Sequence, residues 1–82
     1  MKGNKEMTGY KLAKKVNQEL EAHGLKAIPP QMVYQYIAKG YIPSYVDSNG
    51  QRLVAESDAY EWMDSYVERR TAKAAERLAQ AS

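Results

Sequence analysis

The chain has 82 residues, 44% of them hydrophobic, no cysteine and a net charge of +2. That length allows one domain with a small core, which buries only about 60% of the surface its unfolded chain exposes. Lack of cysteine excludes disulfides and thiolate zinc sites, and no apolar run approaches the roughly 20 residues of a membrane span.

The N-terminal stretch MKGNKEMTGY has no apolar signal-peptide core, and a reducing cytoplasm suits a cysteine-free chain. The charge is unevenly placed. Residues 1–20 are net +3, residues 21–52 net +1, residues 53–68 net −5 and residues 69–82 net +3. Two basic ends flank an acidic belt, so a polyanion would meet the first 52 residues with the belt turned away.

Residues 1–7 read as a flexible tail. Thr8 is an N-cap signal for a first helix to about Ala22. In it Leu12, Ala13, Val16 and Leu20 form one apolar stripe, and Lys11, Lys14, Lys15 and Gln18 fall outside it. His23-Gly24 is a stop signal, after which Leu25 and Ile28 return the chain to the core. Pro29-Pro30 forbids helix before it and suits the first turn of a second helix, from about Pro30 to Lys39 with Gly40 ending it. The runs YIPSYV and QRLVAE around Asn49-Gly50 predict a two-stranded hairpin. Ser57 is an N-cap signal for a last helix to about Ala79, with Asp58 and Glu61 in its positive first turn. Ala59, Trp62, Met63, Tyr66 and Val67 give that helix its apolar stripe. Arg69, Lys73 and Arg77 continue the Trp62–Tyr66 face. A face that packs first and is basic later leaves the core near residue 68.

The predicted fold class is therefore mainly α with a small β-hairpin, in the order helix, helix, two-stranded wing, long C-terminal helix. That is the order of a winged helix-turn-helix domain. The predicted organisation is a tail over 1–7, the domain over 8–68, and a projecting basic helix end over 69–82.

The second helix has an unusual outward face. With Val33 and Ile37 turned inward, Gln31, Gln35, Ala38 and Lys39 collect opposite, flanked by Met32 and Tyr34. Amides and phenols of this reach can hydrogen-bond base edges or phosphates in a major groove. A plain solvated helix has much the same composition. The hairpin tip Asp47-Ser48-Asn49-Gly50-Gln51-Arg52 adds polar groups and an arginine, which suits a narrow minor groove or its phosphates; an ordinary Asn-Gly turn is the simpler alternative.

Val33-Tyr34-Gln35-Tyr36, Gly40-Tyr41-Ile42-Pro43, Arg52-Leu53-Val54, Ser57-Asp58 and Trp62 together resemble the MerR-like winged helix. In particular they resemble the phage excisionases, or recombination directionality factors, of the mycobacteriophage type, over roughly residues 8–67. The resemblance implies a second helix in the major groove, with Gln31, Tyr34, Gln35 and Lys39 as its contacts. It implies wing contacts from Ser48, Asn49, Gln51 and Arg52. It also implies binding to direct repeats of double-stranded DNA at an attachment site, DNA bending, neighbouring copies of the chain along that DNA, and a tyrosine integrase partner, in the host bacterial cytoplasm. MerR regulators carry arginine where Tyr34 stands here, and their effector domain is not expected in a chain this short. Lys11, Lys14, Lys15, Arg69, Lys73 and Arg77 are candidate backbone or partner contacts, or simply solvated cations.

The chain has one histidine and no cysteine. It has no metal-ligand spacing and no phosphate-cradling glycine loop. No cofactor, metal or catalytic residue is expected. A small repressor or antitoxin-type DNA binder, and a tyrosine-rich adaptor that binds another protein, remain as alternatives.

Overall fold

Thr8 starts the first helix as its sequence suggests. Its backbone is extended, and its hydroxyl accepts from the Lys11 N–H at 3.2 Å. In the computed structural model, which describes residues 5–81, helix α1 then spans Gly9–Ala22. Leu12, Ala13, Val16 and Leu20 are its buried stripe. The helix closes with the Leu25 N–H donating to the Leu20 carbonyl at 2.7 Å. His23 also donates from its ring Nδ1 to the Glu19 carbonyl at 2.9 Å. A carbonyl only accepts, so that nitrogen carries the proton.

Asn17 sets the path from α1 to the next helix. Its side-chain amide donates to the Ile28 carbonyl at 2.9 Å, and its oxygen accepts from the Ile28 N–H at 2.8 Å. Helix α2 follows at once, spanning Pro30–Ala38 with Val33 and Ile37 buried. Gly40 then adopts φ +84°, a left-handed conformation that side-chain-bearing residues avoid. This turn lets Tyr41 N–H reach back to the Tyr36 carbonyl at 2.9 Å and sends Ile42 into the core, fully buried.

The sheet is larger than the hairpin expected from sequence. Strands β1 (Glu6–Met7), β2 (Tyr45–Val46) and β3 (Arg52–Ala55) form one antiparallel sheet in the order β1-β3-β2. Met7 pairs with Val54, Glu6 with Ala55, Tyr45 with Leu53 and Val46 with Arg52. The expected tail over residues 1–7 is thus corrected at its end: Met7 is core, 3% exposed, and pairs with a residue at 0%. Residues 1–4 of that tail lie outside the described residues. The β2–β3 connection is also not a two-residue Asn-Gly turn. It is a loop from Asp47 to Gln51, closed by Asp47 N–H to the Gln51 carbonyl at 2.9 Å. Gly50 supplies its positive φ and the Asp47 carboxylate accepts from the Asn49 and Gln51 N–H groups at 2.9 and 2.8 Å.

Helix α3 runs continuously over Glu56–Ala81, starting where β3 ends. Ser57, expected as its cap, therefore lies inside the first turn. Ala59, Met63, Tyr66 and Val67 pack into the core. Trp62 does not join them fully; it is half-buried and stacks on Tyr66 with ring centroids 5.0 Å apart. Among residues 68–80 none is buried. The last turns project, and the chain measures 53 × 26 × 17 Å. Over residues 69–81 the expected basic end is the outer part of this helix, and residue 82 lies outside the described residues.

Candidate nucleic-acid interface

The outward face of α2 is assembled by its inward anchors. Val33 is 0% and Ile37 6% exposed, which turns Gln31, Tyr34, Gln35 and Lys39 outward; all four are exposed. Tyr34 packs against the first turn of α1. A Cβ on Gly9 would stand 2.7 Å from Tyr34 Cε1 and 2.8 Å from Cδ1. Glycine at the first turn of α1 is therefore what admits the ring, which lies against that backbone while keeping 45% of its surface exposed.

The hairpin brings Arg52 to the same place. Tyr34 and Ala38 of α2, Gly9 of α1 and Arg52 of β3 line one groove of about 210 Å³. Arg52 is steadied by Ser44, whose hydroxyl accepts from Nη1 at 3.1 Å. Ser48, Asn49, Gln51 and Arg52 are all exposed. Asp47 already holds the backbone of this loop, so the tip is preorganised while its side chains face water. The one acidic group in the loop gives its oxygen to backbone donors, and neither α2 nor β3 carries an acidic residue. Such a surface offers amide, phenol and guanidinium donors without a large fixed charge.

The other candidate cations lie on two helices, α1 and α3. Lys11, Lys14 and Lys15 line a shallow surface with Thr8, Tyr10 and Gln18 on α1. Within it Lys15 is partly engaged, its ammonium 5.9 Å from the Tyr60 ring centroid. Arg69 and Lys73 line an aromatic cleft with Tyr36, Tyr41, Trp62 and Tyr66, whereas Arg77 lies exposed farther along α3. In that cleft the Tyr36 hydroxyl is pushed above its ordinary value, first by burial and then by the neighbouring Tyr66, against the opposing pull of Arg69 and Arg70. No set of three or more His, Asp or Glu among the described residues is placed to hold a metal ion, and no described helix is long and apolar enough to cross a membrane.

Sequence reasoning missed Gly9, Asn17 and Ser44, which position the groove without forming its polar face. It also missed Arg70, whose guanidinium donates to the Tyr66 hydroxyl at 3.0 Å and lies 5.7 Å from that ring's centroid. The available signal was local for Gly9, a glycine immediately after a capping threonine; for Asn17 and Ser44 the partners are remote in sequence. No protein-family model, curated protein or solved structure matches the chain.

Proposed function

We propose that the protein binds duplex DNA with sequence preference, as a winged helix-turn-helix. In this reading α2 enters the major groove with Gln31, Tyr34, Gln35 and Lys39, and the β2–β3 hairpin lies over the adjoining minor groove or backbone with Ser48, Asn49, Gln51 and Arg52. The observation that supports it best is the shared groove of Tyr34, Ala38 and Arg52, because two elements distant in sequence converge on one exposed, weakly basic face. Glutamine pairs with adenine in bidentate fashion, and arginine suits a narrow minor groove. The acidic residues Asp58, Glu61, Asp64 and Glu68 lie on α3, and none of them lines the groove of Tyr34 and Arg52.

The resemblance to phage excisionases extends the proposal. The protein occupies direct repeats beside neighbouring copies, bends the attachment site, and directs a tyrosine integrase toward excision without covalent chemistry of its own. The test is a gel shift on duplex DNA at increasing salt. With about four phosphate contacts the log–log slope is about −3.6. A ladder of shifted bands on tandem repeats, and a changed balance of integration and excision when integrase is added, support the excisionase role. Single-site binding with no effect on integrase favours a small repressor or antitoxin-type binder. No retention even at low salt rejects DNA binding.

A further inference from the structure

The aromatic cleft shares no lining residue with the groove of Tyr34 and Arg52. It is an open cleft of about 650 Å³. Its floor is a ring cluster: Tyr36 lies 5.8 Å from Trp62 and 6.1 Å from Tyr66, and Trp62 and Tyr66 stack at an interplanar angle of 20°. Tyr41 forms a side wall, 65% exposed and 6.0 Å from Tyr36. The rim carries Arg69, Arg70 and Lys73, and no acidic residue lines it. Arg70 is committed to the Tyr66 hydroxyl and, at 3.4 Å, to the Lys26 carbonyl. Arg69 and Lys73 are exposed; Arg69 donates from Nε to the Ser65 carbonyl of its own helix at 3.4 Å, and its terminal nitrogens, with the Lys73 ammonium, face an occupant.

A second hollow of about 530 Å³ adjoins the first, sharing Tyr41, Trp62 and Arg69, and its edge carries Asp58 and Glu61. The rim therefore changes sign across Trp62, from negative to positive along α3. A continuous polyanion such as a nucleic-acid strand would run its phosphates past Asp58 and Glu61. A polypeptide can match both signs and the rings between them. From this charge complementarity we propose that the cleft docks a segment of a partner protein with a mixed pattern. An apolar or aromatic anchor sits between Tyr41 and Trp62, carboxylates meet Arg69 and Lys73, and a basic residue meets Asp58 and Glu61. Aromatic and arginine side chains of this kind are the usual anchors of protein interfaces. The site does not depend on the DNA reading: Tyr36 points about 100° away from Gln35 and about 140° away from Gln31 around α2.

Trp62 is the chain's one tryptophan, so its emission reports the cleft directly. The probe is a synthetic peptide carrying lysine, then leucine and phenylalanine, then two glutamates, titrated to about 1 mM, the weak end of specific recognition. The expected result is a saturable change in emission. The paired substitution Arg69→Glu and Lys73→Glu weakens binding at least about tenfold, with an unchanged circular dichroism spectrum because both residues are exposed. Gln35→Ala leaves peptide binding as in the parent. The proposal is overturned if emission does not saturate, if peptides with alanine anchors or reversed charge order bind equally well, or if the charge-reversed variant binds as tightly as the parent. Tighter binding of a single-stranded oligothymidylate than of the peptide overturns it too, and makes the cleft a nucleic-acid surface.

Discussion

Replacing Asn17 with alanine should loosen the start of α2. Its two hydrogen bonds to Ile28, at 2.9 and 2.8 Å, fix the backbone two positions before the helix begins at Pro30. Neither proline has an N–H to offer as a substitute, and the Ile28 side chain sits in the core at 7% exposure. Each such bond has a net value of about 0.5–1.5 kcal/mol, so losing both costs about 2 kcal/mol. A domain of this length has only about 4–12 kcal/mol in total. With a urea m-value of about 1 kcal/mol/M, the unfolding midpoint should fall by about 2 M. Asn17→Asp keeps the acceptor and loses the donor. At neutral pH it should fall at least as far, because a carboxylate oxygen then faces the Ile28 carbonyl. Urea denaturation followed by circular dichroism measures both variants. An Asn17→Ala midpoint within about 0.5 M of the parent at unchanged m would show that packing alone positions α2.

Gln35→Ala should cost about 1–3 kcal/mol on the preferred DNA site and relax the choice at one base pair, read by competition among site variants. Arg52→Ala should weaken binding to all sequences alike and flatten the salt slope by about one unit. Met7→Ala should lower stability by about 2–4 kcal/mol, because Met7 fills the core opposite Val54; thermal melting checks this. Tyr36 adds a pH dependence. Its folded-state value is raised, so the unfolded chain loses the phenolic proton first, and stability from this group falls as pH rises through about 10. Urea midpoints of the parent and Tyr36→Phe, compared below and above that pH, should show the parent losing stability relative to the variant.

Helices α1 and α2 were legible because their signals are local. A capping threonine, apolar residues at helical spacing and a glycine stop sit within one short window, and Pro29-Pro30 marks the second start. β1 carried no such signal. A two-residue strand has no period to read, and Met7 earns its place only by pairing with Val54 across most of the domain. Separation in sequence also hid Asn17, whose partner lies eleven positions away. The polar face of α2 could be read from periodicity, since Val33 and Ile37 determine which residues point out. Its groove could not, because Gly9, Tyr34 and Arg52 meet only after the hairpin folds back. The aromatic cleft was half visible: Trp62, Tyr66, Arg69 and Lys73 share a helical face, but Tyr36 and Tyr41 arrive from the end of α2. Trp62 read as a core residue because aromatics at an apolar spacing usually are; here it forms a floor open to solvent.

The most direct test of the DNA face is to titrate the isotopically labelled protein with a short duplex and follow every backbone amide by NMR. Binding through this face predicts that the shifted amides cluster over Gln31–Lys39 and Ser48–Arg52, with Gly9 among them, while the amides of Trp62 and Lys73 stay in place. Saturable shifts confined to α3, or none at low salt, would contradict it.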